Sequence, residues 1–233
     1  MFLINPYILQ ASGNPLWNDL LAYYTADNTP NDALGNYNGT LVNGTTYGTG
    51  IINNGFSFDG VNDTVDFGNN LDFDGSTPFS ISCWINPNNV TSLQTPLSKA
   101  LNISPGTGYW ITLTSGGILA FSLCNTNPGN FLAVENSVTL STSTWYHFTA
   151  TYDGSKSSSG LKVYVNSSLN TQNVFSDNLT GSISNTRNFK LGARDNGQFF
   201  DGLVDEVAVF NKELSASEVT ELYNSGAGKQ YPN

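Results

Sequence analysis

Carboxylates, amides and aromatic rings are the side chains of this 233-residue chain that could hold or act on a ligand. The glutamates are Glu135, Glu206, Glu213, Glu218 and Glu221, and the one histidine is His147. A retaining glycoside hydrolase needs two carboxyls about 5 Å apart, one with a raised pKa. Asp205 and Glu206 are adjacent, so a regular strand sends them to opposite faces and they cannot form that pair. A Ser-His-Asp triad would have to use His147, and no Gly-x-Ser-x-Gly turn presents a nucleophile. These residues argue against catalysis. One histidine and two cysteines without a Cys-x-x-Cys spacing exclude a Cys/His zinc site. Cys83 and Cys124 read as buried free thiols, with a disulfide as the other option.

Calcium takes six to eight oxygen ligands from carboxylates, amides and carbonyls. Two oxygen-rich loops qualify. In Asp59-Gly-Val-Asn-Asp63 the ligands would be Asp59 and Asp63, with Asp205 available to join. The other loop is Arg194-Asp-Asn-Gly-Gln198, with 102–108 as a partner loop. The same side chains equally suit Asx turns. Sugars stack on exposed rings, and Trp84, Trp110 and Phe199 are the candidate platform. Met1 to Gln10 gathers Phe2, Leu3, Ile4, Tyr7, Ile8 and Leu9, an apolar arm suited to docking on another chain.

The elements that must position these groups are strands. Only 11% of the residues are charged, and solubility rests on Asn, Ser, Thr and Gly, which favour strands and turns over helices. Strand-like runs cover 39–43, 55–59, 64–67, 79–86, 96–101, 109–114, 118–124, 131–134, 144–152, 161–166, 188–193 and 202–210. About a dozen short strands without intervening helices imply a sandwich or jelly roll. In the 79–86 run, Phe79, Ile81, Cys83 and Ile85 share one face, and Ser80, Ser82, Trp84 and Asn86 form a polar face carrying one tryptophan. One helix is expected at 215–225. Ser215 and Glu218 form a capping box, Val219, Leu222 and Tyr223 an apolar stripe, and Asn224-Ser-Gly226 a stop. The Ser-rich 155–160 segment reads as a hairpin loop. Eight Lys+Arg against 18 Asp+Glu give a net charge of −10, which disfavours nucleic acid and anionic membrane as partners.

Several segments occur in a telling order: Phe56-Ser-Phe-Asp-Gly60 with Asn62-Asp-Thr-Val65; Phe79-Ser-Ile-Ser-Cys-Trp-Ile-Asn-Pro87; and Trp145-Tyr-His-Phe-Thr-Ala-Thr-Tyr-Asp-Gly154. Leu161-Lys-Val-Tyr-Val-Asn166, Leu191-Gly192 and Asp201-Gly-Leu-Val-Asp-Glu-Val-Ala-Val-Phe210 follow. The chain thereby resembles the laminin G-like jelly rolls of the concanavalin A-like superfamily. The resemblance implies an all-β, two-sheet antiparallel jelly-roll sandwich over 16–226, preceded by an arm at 1–15 and followed by a tail at 227–233. It implies that Trp145 fills the core, that ligands bind at rim loops or a concave sheet, and that Asp195 and Asn196 are calcium ligands. Asn102 in the partner loop joins the ligand-binding set. Glycosidases on this fold carry Glu-x-Asp-x-Glu on one strand, and no such motif occurs.

The expectation is therefore a non-catalytic binding or display domain. Met1 runs almost straight into the domain without an export signal, which suits a virion surface protein of a phage: a capsid decoration, cement or fibre subunit anchored by the arm, a homo-oligomer among the options. The alternative is a glycan-binding module of a secreted bacterial protein. A glycoside hydrolase is the third reading.

Overall fold

The computed structural model describes residues 14–101, 106–127, 129–195 and 197–231. The arm residues Phe2, Leu3, Ile4, Tyr7, Ile8 and Leu9, and the loop residues Asn102 and Asn196, lie outside that set.

In chain order the strands are β1 (Leu20–Tyr24), β2 (Thr40–Val42), β3 (Thr46–Thr49), β4 (Asn54–Asp59) and β5 (Thr64–Asp66). Then come β6 (Phe79–Pro87), β7 (Gln94–Ala100), β8 (Gly108–Leu113), β9 (Ile118–Thr126) and β10 (Asn130–Thr139). The last five are β11 (Tyr146–Tyr152), β12 (Leu161–Val165), β13 (Gln172–Asp177), β14 (Lys190–Leu191) and β15 (Asp201–Phe210), before the helix α1 (Ala216–Tyr223). Seven strands form one antiparallel sheet in the order β12-β11-β6-β15-β4-β3, with β1 also on β15. Eight form the other, in the order β13-β10-β9-β8-β7-β14-β5-β2. This is the expected two-sheet sandwich.

Alternation builds the core. Phe79, Ile81, Cys83 and Ile85 of β6 point inward, as do Tyr109, Ile111 and Leu113 of β8 and Leu119, Phe121 and Leu123 of β9. Phe73 and Phe79 stack at 4.1 Å, and Tyr109 joins them at 5.7 and 5.6 Å. Burying each such ring is worth roughly 1.5–3 kcal/mol. Cys83 and Cys124 are buried thiols with no disulfide between them, and burial pushes the Cys124 thiol up to about 11.

The outer face of the seven-stranded sheet is covered, against the polar face expected of β6. Helix α1 lays Val219 and Leu222 on Tyr23, Ala208 and Phe210, with Leu16, Trp17 and Tyr231 in the same cluster. The capping box forms: the Glu218 N–H donates to Ser215 Oγ at 3.3 Å, and the Ser215 N–H to Glu218 Oε2 at 2.8 Å. The helix stops at Asn224-Ser-Gly226 as expected, with Asn224 in the left-handed region at φ 47° as its cap. The 155–160 segment joins the antiparallel pair β11 and β12, as expected of a hairpin loop. Trp145 is half-buried beside Gly55 and Asp205 rather than in the core. Among the described residues no helix is long and apolar enough to cross a membrane.

Candidate functional site

The outer face of the eight-stranded sheet carries a groove of about 390 Å³. Its floor follows from strand register. Lys190, Ser98, Trp110, Ser122 and Ala133 face one another in a row across five strands. Thr112, Ala120, Glu135 and Asn173 form the next row. Small side chains between large ones leave a trough. Phe131 and Trp110 wall it, and Leu93 and Phe175 stand at its rim, 49% and 70% exposed.

A bulge aims Phe175 there. Ala133 pairs with Ser176 and Val134 with Val174, so Phe175 is the extra residue of β13, left without a partner on β10. A second irregularity in β7, between Gln94 and Leu97, follows Leu93. Arg194 lies over the Trp110 ring at 3.5 Å and donates through Nε to the Leu101 carbonyl at 2.9 Å. Glu135, the carboxylate that lines the groove, accepts from the Asn173 amide at 3.0 Å.

The residues expected to bind are dispersed. Trp110 lines the groove, but at 6% exposed and with Arg194 over its ring it is a wall rather than the exposed platform expected. Trp84 is only 3% exposed, packed on His147 and Tyr223 under α1 on the opposite side of the molecule, so it offers no platform. Phe199 is half-buried in the loop before β15. Leu93, Phe131, Glu135 and Phe175 were not anticipated; an aromatic in a Gln172–Asp177 run that lacks alternation was the available signal.

The loop carboxylates mostly serve the backbone. Asp63 is 3% exposed and accepts from the Gly44 N–H at 2.7 Å and the Asp59 N–H at 3.1 Å. Asp59 makes an Asx turn with the Val61 N–H at 2.8 Å. Asp205 does not join them. It accepts from the N–H groups of Ile51 and Ile52 at 2.9 and 3.2 Å. Asp195 has Arg187 4.0 Å away, and Lys190 donates to its carbonyl at 3.4 Å. Among the described residues no three His, Cys, Asp or Glu side chains come together as a metal set.

Asp205 and Glu206 do share a face, against the expectation from regular alternation. Asp205 pairs with Trp84 and Ala208 with Ser82, so Glu206 and Val207 stand opposite one residue, and Glu206 has φ 49°. The Tyr23 hydroxyl donates to Glu206, as does the Gln230 amide at 3.3 Å. Burial pushes Glu206 up to about 8 and Asp205 to about 7, the latter against three backbone N–H donors. Both lie beneath the C-terminal segment, far from the groove. His147 is neutral: burial takes it down to about 3, and Nε2 pairs with the Ser82 hydroxyl at 2.8 Å.

Comparisons with known proteins agree with this architecture. The binding domain of Paraclostridial Mosquitocidal Protein 1 superposes with a TM-score of 0.72 at 19% identity, over 91% of this chain and 53% of that one. The receptor binding domain of botulinum neurotoxin D gives 0.67 at 18%, over 91% and 54%. Domain 4 of AbnA, a GH43 extracellular arabinanase from Geobacillus stearothermophilus in complex with arabinotriose, gives 0.61 at 24%, over 87% and 97%. The chain thus spans about half the length of the toxin domains and nearly all of the arabinanase domain, and at these identities the likeness is one of fold. No curated protein matches. A family model described as the concanavalin A-like lectin/glucanases superfamily, of laminin G type, matches residues 59–220, more than half of the chain. The chain belongs to this laminin G-like family of the concanavalin A-like lectin/glucanases superfamily.

Proposed function

We propose that the chain is a non-catalytic glycan-binding domain whose ligand lies in the groove on the outer face of the eight-stranded sheet. The observation that carries this is Phe175, a ring raised out of the ladder by a bulge and 70% exposed over a floor of small residues. An exposed aromatic face beside Trp110, Phe131 and a few polar groups is what a sugar ring stacks on. Among the described residues lining the groove, Glu135 is the one carboxylate, and glycoside cleavage needs a pair. The structural neighbours, by their descriptions, are binding domains of toxins and a domain seen with arabinotriose.

The groove faces away from both described chain ends. Leu16, Trp17 and Tyr231 pack together on the α1 side of the sandwich. A domain tethered by either end would present its groove outward, on a virion surface or on a secreted protein. We take the apolar arm as the anchor to a partner subunit. Deleting residues 1–12 should leave the jelly roll folded and abolish assembly; equal assembly with and without the arm would refute the anchor.

Binding to a glycan array tests the function. Phe175→Ala should retain the wild-type melting temperature and lose at least tenfold in affinity. A full-affinity Phe175→Ala protein would refute the groove as the site.

A further inference from the structure

On a chain of net charge −10, four of the eight Lys and Arg residues gather beside one wall of the groove: Lys99, Arg187, Lys190 and Arg194. Arg187 and Lys190 line a second pocket of about 210 Å³ with Thr186, Asn188, Asp195 and Ala100. This is where the oxygen-rich loop suggested a calcium site, and two cations stand in it.

The two pockets adjoin. Lys190 is in register with Ser98, and Ser98 with Trp110, so the ammonium-bearing residue and the groove wall are two strand spacings apart, about 10 Å. Ala100 lines the basic pocket and packs with Trp110, Cys124 and Phe131. Arg194 lies over the Trp110 ring at 3.5 Å.

The cations of the pocket are only partly engaged: Lys190 gives one N–H to the Asp195 carbonyl at 3.4 Å, and the other neighbours are carboxylates at longer range. Arg187 lies 4.0 Å from Asp195 and Lys190 3.9 Å from Asp66, too far for direct hydrogen bonds. The Arg187 side chain is 47% exposed. Lys99, with its side chain fully buried, lies behind the pocket: its ammonium donates to the Arg187 carbonyl at 2.5 Å and to Asn69 at 2.7 Å, with the Asp72 carboxylate 3.9 Å away. The half-exposed Arg187 guanidinium and the remaining N–H groups of Lys190 suit a carboxylate or sulfate. At the far end of the groove Glu135 repels negative charge, which orients a ligand that carries an anion at one end.

We propose that the Arg187–Lys190 pocket is an anion subsite, and that the ligand is an acidic glycan. Its carboxylate or sulfate seats in the pocket while a neutral ring lies in the groove. This rests on the groove being the glycan site.

The test is an array of neutral, sialylated and sulfated oligosaccharides, probed with the full chain, with the double variant Arg187→Gln/Lys190→Gln, and with Phe175→Ala. Titration with sodium sulfate runs alongside. The expected hits are acidic glycans, weakened at least tenfold in the double variant, whose melting temperature stays that of the wild type. Hits confined to neutral glycans and sensitive to Phe175→Ala overturn the anion subsite and leave the groove reading intact. Acidic hits indifferent to the double substitution also overturn it. Acidic hits lost in the double variant but unaffected by Phe175→Ala support the pocket and refute the groove. Sulfate binding without any glycan hit overturns the acidic glycan as ligand, and a blank array with no sulfate binding overturns both readings.

Discussion

Replacing Glu206 by glutamine should stabilise the protein at neutral pH and flatten its stability against pH. Burial raises the Glu206 carboxyl from 4.5 to about 8 in the folded protein. An acid with a raised folded pKa stabilises fully below 4.5, and that contribution is lost as pH rises through 8. Between those limits one proton is taken up on folding, and each pH unit costs about 1.4 kcal/mol. By pH 7 the loss is about 3 kcal/mol, since 2.5 of the 3.5 units have been crossed. Glutamine keeps the shape, carries no charge, and retains an oxygen for the Tyr23 hydroxyl. Re-pairing with Gln230 costs about 1 kcal/mol at most. Glu206→Gln should therefore gain about 2–3 kcal/mol at pH 7, read by urea denaturation at pH 5, 6, 7 and 8.5. Asp205 responds to the same pH range, so the wild-type slope includes both groups and the difference between the two proteins isolates Glu206. Parallel slopes, or a variant less stable than wild type at pH 7, would refute the reasoning.

Ser215→Ala removes the side-chain half of the capping box and should cost about 1 kcal/mol in chemical denaturation, with the glycan affinity unchanged. Calcium and chelator should give the same melting temperature. The oxygens of Asp63 are taken by backbone N–H groups and Asp195 has cations beside it, so a rise with millimolar calcium would contradict that placement. Gly108→Ala should fail to fold or lose much of its stability, because a Cβ there would sit 1.9 Å from the Lys99 carbonyl; a wild-type melt would contradict the β7–β8 register.

The sandwich is legible where alternation is regular. β6, β8 and β9 put a large apolar residue at every second position, and the capping box of α1 needs only Ser215 and Glu218. β1, β3 and β13 were not anticipated. Leu20–Tyr24 is a short apolar run, Thr46–Thr49 contains a glycine, and Gln172–Asp177 loses its alternation at the Phe175 bulge. The same physics hid most of the site. A bulge changes which face a side chain takes, and sequence spacing assumes there is none. That is why Phe175 was missed and why Asp205 and Glu206 were sent to opposite faces. Trp84 was misplaced for a different reason. Its face of β6 is the polar one, yet α1 and the C-terminal segment cover it, and tertiary covering is invisible in a two-residue period. Trp110 was named only as an exposed ring; the structure puts it on the outer face of β8, where Arg194 and its neighbours leave it 6% exposed.

A structure of the protein with a glycan selected from the array tests the central claim most directly. The account predicts a sugar ring on the outer face of the eight-stranded sheet, against Phe175 and between the walls formed by Trp110 and Phe131. A ligand held instead at the 59–63 loop, or on the α1 side of the sandwich, would contradict it.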